Sequence, residues 1–189
     1  FIAIAKKQAL SFRLSTAVKA AKTSKTGVRL TVEPPAGGAA ETVTADIALV
    51  SVGRHPATDG LGLEAAGISL TERGRIAVDS RFETSLDDVF AIGDVIDGPM
   101  LAHKAEEDAV AAVEMMAGQP GHVDYALVPG IVYTAPEIAT LGQSEEALKV
   151  AKTDYKKGVF PFAANSRARA QGHSDGFVKI LACSQTDKV

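Results

Sequence analysis

The feature that most restricts the fold is an apolar hexapeptide, Ile47-Ala48-Leu49-Val50-Ser51-Val52, at the end of a long segment that begins at Glu41. Apolar residues occupy both alternating positions, whereas a strand with one face in water carries polar residues on that face. A strand of this kind is buried on both faces, as in the sheet of a layered α/β domain. The hexapeptide therefore predicts an α/β fold, with Gly53 ending the strand.

The residues before this strand predict a helix end followed by an antiparallel meander. Phe1–Leu10 is typical of the last turns of a helix, and Ser11–Thr16 of a short alternating strand. Val28–Glu33 alternates again, Pro34–Gly38 breaks the pattern, and Glu41–Val52 completes the meander.

The middle of the chain predicts two short strands and one long helix. The strands are expected at Ile76–Val78 and Val89–Ile92, and the helix at Met100–Ala117. Residues expected on its apolar face recur at helical spacing: Leu101, Ala105, Ala109, Ala112, Val113 and Met116. Charged residues expected to face away from it are Lys104, Glu106, Glu107, Asp108 and Glu114.

The sequence pattern changes near Leu127 to short predicted strands around one helix, which predicts a separate α+β unit from Val128 onward. One helix, which Ser144 can cap, is surrounded by predicted strands. These strands are Ile131–Thr134, Ile138–Leu141, Val159–Phe162 and Phe177–Leu181.

Charge and composition argue against several classes of function. The net charge is −3 and the basic residues are scattered, which predicts no nucleic-acid partner. No apolar run approaches the roughly 20 residues that a membrane span needs. Cys183 is the single cysteine, so no internal disulfide forms. His55, His122 and His173 lie apart, without the spacing of metal ligands, and no metal site is predicted.

The strongest chemical signal is Gly93-Asp94 at the end of a predicted strand, followed by a helix start at Pro99–His103. A carboxylate at the carboxyl end of a strand lies where α/β sheets bind nucleotides, and Asp94 can accept hydrogen bonds from sugar-like hydroxyls. The free N–H groups of a helix start attract negative charge. The alternative is that Asp94 only caps a turn, since Gly-Asp after a strand is common turn chemistry.

Several ordered motifs resemble the pyridine nucleotide–disulfide oxidoreductase family. Thr84–Asp94 is similar to the second FAD-binding motif of that family, and Leu49–Arg54 to the strand that closes its nicotinamide-nucleotide domain. Gly98–Glu106, Ile131–Glu137 and Phe160–Ala168 look like the branch that oxidises dihydrolipoamide, the E3 component of 2-oxoacid dehydrogenase complexes.

The resemblance implies roles for seven residues. Asp94 would bind the FAD ribityl chain, and the isoalloxazine ring would lie against Met100, Leu101, Ala102 and His103. Gly53 would lie beside the bound NAD, and Val18 falls at an adenine-side contact where the local match is weak. His103 could pass for a catalytic base, but no acidic partner is visible for it, which favours a helix-start residue next to the flavin.

The resemblance also implies a domain order. Residues 1–53 would be the C-terminal part of an NAD-binding domain, residues 54–127 a central FAD-binding segment, and residues 128–189 the N-terminal part of an α+β dimerisation domain. The fold class is thus part of a Rossmann-like flavoprotein with two dinucleotide-binding domains, plus part of a dimer-interface domain.

The implied activity is FAD-dependent oxidation of dihydrolipoamide with NAD⁺ as acceptor, in a homodimer that meets the lipoyl domain of an E2 acyltransferase. The implied location is the mitochondrial matrix or the bacterial cytoplasm. The family's redox-active cysteine pair, GxGxxG motifs and catalytic His–Glu pair do not occur in the 189 residues. We therefore expect a partial chain that contains no catalytic residue and is inactive alone.

Two other functions stay open on the sequence. One is a sister flavoprotein reductase that acts on glutathione, mercuric ion or another disulfide. The other is a non-catalytic flavin-binding module. The Pro99–Glu106 and Phe160–Ala168 segments argue against the first.

Overall fold

The computed structural model describes residues 1–189, which form two compact units, Phe1–Gly53 and Arg54–Val189. The helices and strands in chain order are α1 (Ile2–Lys7), β1 (Ala17–Ser24), β2 (Gly27–Glu33), β3 (Glu41–Ala45), α2 (Ala102–Met116), β4 (Gly130–Val132), β5 (Ile138–Thr140), α3 (Glu145–Val150), β6 (Tyr155–Pro161), α4 (Ser166–Ala170) and β7 (Phe177–Cys183). Short 3₁₀ helices cover Gly93–Val95, Tyr125–Leu127 and Phe162–Ala164. None of the helices is long and apolar enough to cross a membrane.

The first unit contains the predicted antiparallel meander, with strand order β1-β2-β3. The prediction of a strand at Ser11–Thr16 is wrong, because the first strand begins only at Ala17. Ser15 has a φ of 50°, which is incompatible with an extended strand. The Thr16 hydroxyl donates a hydrogen bond to the Leu14 carbonyl, as expected of a turn.

The prediction of a doubly buried strand at residues 47–52 is also wrong for this chain. β3 ends at Ala45, and Leu49 and Val52 are 91% and 92% exposed. A strand of this kind exists only when neighbouring strands accept and donate its backbone hydrogen bonds. No strand of the chain pairs with these residues.

The second unit packs irregular chain against α2. Its core consists of Ile76, Phe82, Ala91, Ile96, Ala111 and Ala112. The strands predicted at Ile76–Val78 and Val89–Ile92 are wrong as extended elements, because each is reduced to a single bridge, Leu70 with Ile76 and Glu83 with Phe90. Phe82 and Asp88 have φ values of 65° and 61°, and these left-handed residues interrupt the extended backbone.

The last part of the second unit follows the sequence prediction closely. β4 pairs with β5 and β6 with β7, all antiparallel, and the Ser144 hydroxyl caps α3 by accepting from the Ala147 N–H. α4 was not predicted. Glu145, at the start of α3, accepts hydrogen bonds from Lys157, Tyr155 and Lys179 and forms an ion pair with Lys149, which ties α3 to β6 and β7. These contacts, led by the one with Lys157, lower the pKa of Glu145 to about 2.

Candidate functional site

The candidate site lies where the 3₁₀ helix at Gly93–Val95 meets the first turns of α2. Gly93 has a φ of 72°, and a Cβ added to it would lie 3.1 Å from Cβ of Ala105. Only glycine combines this backbone conformation with so close an approach at low cost. The contact brings Asp94 next to the start of α2, although five residues separate it from Met100.

Asp94 is half-buried, and its carboxylate has no hydrogen-bond or ion-pair partner within the chain. A turn-capping role would require it to accept a backbone N–H, as Asp79 and Asp124 do elsewhere in the chain. The structure contains no such bond for Asp94. Its oxygens are therefore available to a ligand.

The start of α2 offers free backbone donors. Leu101 is the N-cap residue in an extended conformation, and no side chain caps the helix. The first backbone hydrogen bond of α2 is donated by the Ala105 N–H to the Leu101 carbonyl. The N–H groups of Ala102, His103 and Lys104 therefore have no acceptor within the helix. The first turn contains no acidic residue. These donors and the helix dipole favour a negatively charged group.

His103 is held against the segment that follows α2. Its Nε2 atom lies 2.8 Å from the Pro129 carbonyl oxygen, and because a carbonyl can only accept, Nε2 donates. No carboxylate contacts the ring. The arrangement favours the interpretation of His103 as a helix-start residue over that of a catalytic base.

The two residues predicted to bind NAD lie in the first unit, on separate elements. Val18 is on β1, opposite Val32 and next to a register shift, and is 59% exposed. Gly53 follows β3 in irregular chain, with a φ of 136° and open space around it.

Two residues of the site were assigned wrongly from the sequence. Lys104 and Asp108 were expected to face solvent, but both side chains are 0% exposed and form an ion pair with Nζ and Oδ2 2.7 Å apart. Val113 and Met116, expected on the buried face, are 62% and 51% exposed. The buried stripe of α2 instead runs through Lys104, Asp108, Ala111 and Ala112, because the charged pair finds polar partners in the adjoining loop.

The partners of this ion pair are the backbone of Gly93 and the hydroxyl of Tyr125. Asp108 Oδ2 accepts from the Gly93 N–H at 2.9 Å, and Lys104 Nζ donates to the Gly93 carbonyl at 3.0 Å. The Tyr125 hydroxyl donates to Asp108 Oδ1 at 2.8 Å. Burial, together with this bond and the charge of Asp108, raises the pKa of Tyr125. Lys104, Asp108 and Tyr125 are called the Gly93 clamp below.

Arg75 holds the far end of the same loop. Its guanidinium donates to the carbonyls of Ile96 and Gly98, at 3.0 and 2.8 Å. The loop is thus fixed at both ends, and Asp94 is the charged group within it that has no partner. No group of histidine, cysteine or acidic residues is arranged to hold a metal ion.

Comparison with known proteins identifies the family. The model of the pyridine nucleotide-disulphide oxidoreductases matches residues 2–109, and that of their dimerisation domain matches residues 128–189. The mitochondrial dihydrolipoyl dehydrogenase of Pisum sativum is 54% identical over 183 residues, which is 97% of this chain and 36% of that protein. The Sus scrofa protein of the same name is 50% identical, over 100% of this chain and 37% of its own length. The chain thus spans about a third of the length of the curated relatives it matches.

Solved structures agree with this assignment. The HOCl-induced flavoprotein disulfide reductase RclA of Escherichia coli has a TM-score of 0.84 and 26% identity, over 98% of this chain and 42% of that one. LpdA of Mycobacterium tuberculosis has a TM-score of 0.78 and 28% identity, over 90% of this chain and 36% of that one. The predicted fold class is confirmed. The chain belongs to the pyridine nucleotide-disulphide oxidoreductase family.

Proposed function

We propose that these residues form part of a dihydrolipoamide dehydrogenase, which oxidises dihydrolipoamide to lipoamide with FAD as bound cofactor and NAD⁺ as acceptor. The observation that carries the proposal is the unpartnered carboxylate of Asp94 beside the uncapped start of α2. A carboxylate that accepts from hydroxyls and a helix start that stabilises negative charge are what a ribityl chain and a flavin ring require.

The residues present fit FAD. Asp94 would accept hydrogen bonds from ribityl hydroxyls. Met100, Leu101, Ala102 and His103 would line the isoalloxazine ring, mostly through backbone N–H groups. FAD, when bound, supplies two-electron transfer between a dithiol and the nicotinamide. The chain contributes binding, orientation and a positive helix end, and it supplies no catalytic acid or base.

The NAD contacts and the three-domain division are part of the same proposal. Gly53 and Val18 would contact NAD within an NAD-binding segment, residues 1–53. Residues 54–127 would be the FAD-binding segment, and residues 128–189 the part of a dimerisation domain that joins two subunits as a homodimer. The match of residues 128–189 to the family's dimerisation domain supports the last point.

The partner and the location are further parts of the proposal. The E2 acyltransferase of a 2-oxoacid dehydrogenase complex would present the lipoyl group to the homodimer. The protein would act in the mitochondrial matrix or the bacterial cytoplasm, and the mitochondrial names of the relatives from Pisum sativum and Arabidopsis thaliana support the first location.

The degree of similarity favours this activity over a sister disulfide reductase. Dihydrolipoyl dehydrogenases are 50–55% identical to the chain, whereas the flavoprotein disulfide reductase RclA is 26% identical. Because the dihydrolipoyl dehydrogenases have the higher sequence identity, they are the better guide to the substrate.

The Asp94→Ala substitution in the full-length protein tests the flavin assignment. A charged acceptor that bonds a ligand hydroxyl contributes roughly 1.5–3 kcal/mol, so the Kd for FAD should rise by about one to two powers of ten. The measurement is titration of FAD into each apoprotein, followed by flavin fluorescence.

Asp87→Ala is the matched control, because Asp87 is exposed and lies on the approach to the same segment. Asp88 is a poorer control, since its φ of 61° adds a backbone penalty to any substitution by alanine. Equal FAD affinity for wild type, Asp94→Ala and Asp87→Ala would contradict the proposal. A turn-capping Asp94 would instead lower stability by about 1 kcal/mol and leave FAD affinity unchanged.

A further inference from the structure

The Gly93 clamp contains a fully buried ion pair, Lys104 with Asp108, that has no assigned role in the proposed flavin site. Lys104 and Asp108 lie one helical turn apart and are both 0% exposed. A buried ion pair is weak evidence for stability, because the cost of removing two charges from water often exceeds their attraction, and an apolar pair of the same size stabilises as well or better. Its presence therefore calls for another explanation.

The geometry of the clamp supplies that explanation. The Gly93 N–H belongs to the peptide before Gly93, and the Gly93 carbonyl belongs to the peptide that leads into Asp94. Asp108 holds the first and Lys104 the second. Two bonds on opposite sides of one residue fix both of its flanking peptide planes, and the second plane sets the direction in which the Asp94 side chain leaves the backbone.

Three further contacts keep the clamp in one arrangement. Tyr125 donates to the second oxygen of Asp108, and the Lys104 ammonium lies 5.3 Å from the centre of the Tyr125 ring. Gly98 approaches so closely that an added Cβ would lie 2.9 Å from Cε of Lys104. Every buried polar side-chain atom has at least one hydrogen-bond partner, and a buried polar network that is satisfied in this way favours a single arrangement.

We propose that Lys104, Asp108 and Tyr125 are positioning residues that hold the Gly93–Asp94 turn in the geometry that binds FAD. The proposal rests on the proposed function. Because both charges are 0% exposed, neither touches the cofactor, and they act only through Asp94 and its backbone. FAD affinity would thus depend on two residues, Lys104 and Asp108, that do not contact the cofactor.

A double-mutant cycle on FAD affinity tests this in the full-length protein. Asp108→Asn removes the charge that holds Lys104 and the Gly93 N–H, and it should raise the Kd for FAD about tenfold, which is the effect of disorienting one charged hydrogen bond. In the Asp94→Ala background the same change should raise the Kd less than about threefold, because the group that the clamp orients is already absent. For each variant, flavin fluorescence during FAD titration gives the Kd, and urea unfolding of the apoprotein gives the free energy of unfolding.

The outcomes separate the two proposals. In one case Asp94→Ala weakens FAD binding, but Asp108→Asn either leaves the Kd unchanged or raises it by the same factor with and without Asp94. The clamp is then only structural, and this inference is overturned. If Asp94→Ala binds FAD as tightly as wild type, the flavin assignment fails and the inference fails with it. Glu107→Gln, an exposed acid next to Asp108 on the same helix, should leave the Kd unchanged.

A second variant covers the case in which Asp108→Asn does not fold. The double substitution Lys104→Met/Asp108→Leu buries no unpaired charge and keeps the volume of the pair, so the helix face should still pack. It leaves the Gly93 peptides without their side-chain partners, and the Kd for FAD should again rise about tenfold. A folded double variant with wild-type FAD affinity would overturn the inference.

Discussion

Replacing Gly93 by alanine probes the junction on which the whole candidate site depends. Gly93 has a φ of 72°, where an alanine costs about 1–2 kcal/mol. The new methyl group would also lie 3.1 Å from Cβ of Ala105, inside the 3.5–4.0 Å at which two carbon atoms attract best. Overpacking of this kind adds about 1–3 kcal/mol. Gly93→Ala should therefore lower the free energy of unfolding by about 2–5 kcal/mol.

Gly118→Ala is the matched control for the backbone part of this effect. Gly118 has almost the same φ, 75°, and no atom lies within 4 Å of the position its Cβ would take. Its substitution should cost only the backbone term of about 1–2 kcal/mol. The difference between the two variants isolates the contact with Ala105.

Urea unfolding followed by far-ultraviolet circular dichroism measures both free energies. Ala105→Gly alone should cost about 1 kcal/mol as a glycine in a helix, and it should cost less in the Gly93→Ala background, where it removes the contact. The close contact between the Gly93–Asp94 turn and α2 is refuted by two results together. The free energies lost in Gly93→Ala and Gly118→Ala would agree within about 0.5 kcal/mol, and Ala105→Gly would cost as much in the Gly93→Ala background as in wild type.

Two other predictions concern the last part of the chain. The pKa of Glu145 falls from 4.5 to about 2 on folding, so its stabilising contribution is complete above pH 4.5 and is lost as the pH drops toward 2. The difference in Tm between wild type and Glu145→Gln should shrink over that range, and a difference independent of pH would contradict the assignment. Phe160, Phe177 and Ile180 are 52%, 57% and 51% exposed on the β6–β7 pair, so the 189-residue polypeptide should self-associate. Sedimentation at high concentration checks this, and a stable monomer would argue against a subunit interface in residues 128–189.

The parts of the fold that the sequence predicted correctly depend on local interactions. An antiparallel meander needs only alternation and nearby turns, and β2 and β3 pair as expected, although the first strand lies at Ala17–Ser24 and not at Ser11–Thr16. The cap of α3 is equally local, since Ser144 reaches an N–H three residues away. A strand buried on both faces depends instead on distant partners. Residues 47–52 carry the correct pattern for such a strand, but the described chain contains no strand that pairs with them.

The candidate site shows the same limit on a smaller scale. Gly93-Asp94 and the helix start were recognisable because each is a short motif with its own chemistry. Lys104 and Asp108 looked like an exposed i, i+4 ion pair, which is the usual meaning of that spacing on a helix. The available signal was that Lys104, Asp108, Ala111 and Ala112 follow the i, i+4, i+7, i+8 rhythm of a buried stripe. A charged pair at the start of such a stripe requires polar partners in the chain that packs on it. Here the partners are the two peptides of Gly93, so the loop that presents Asp94 and the helix beside it satisfy each other's buried polar groups.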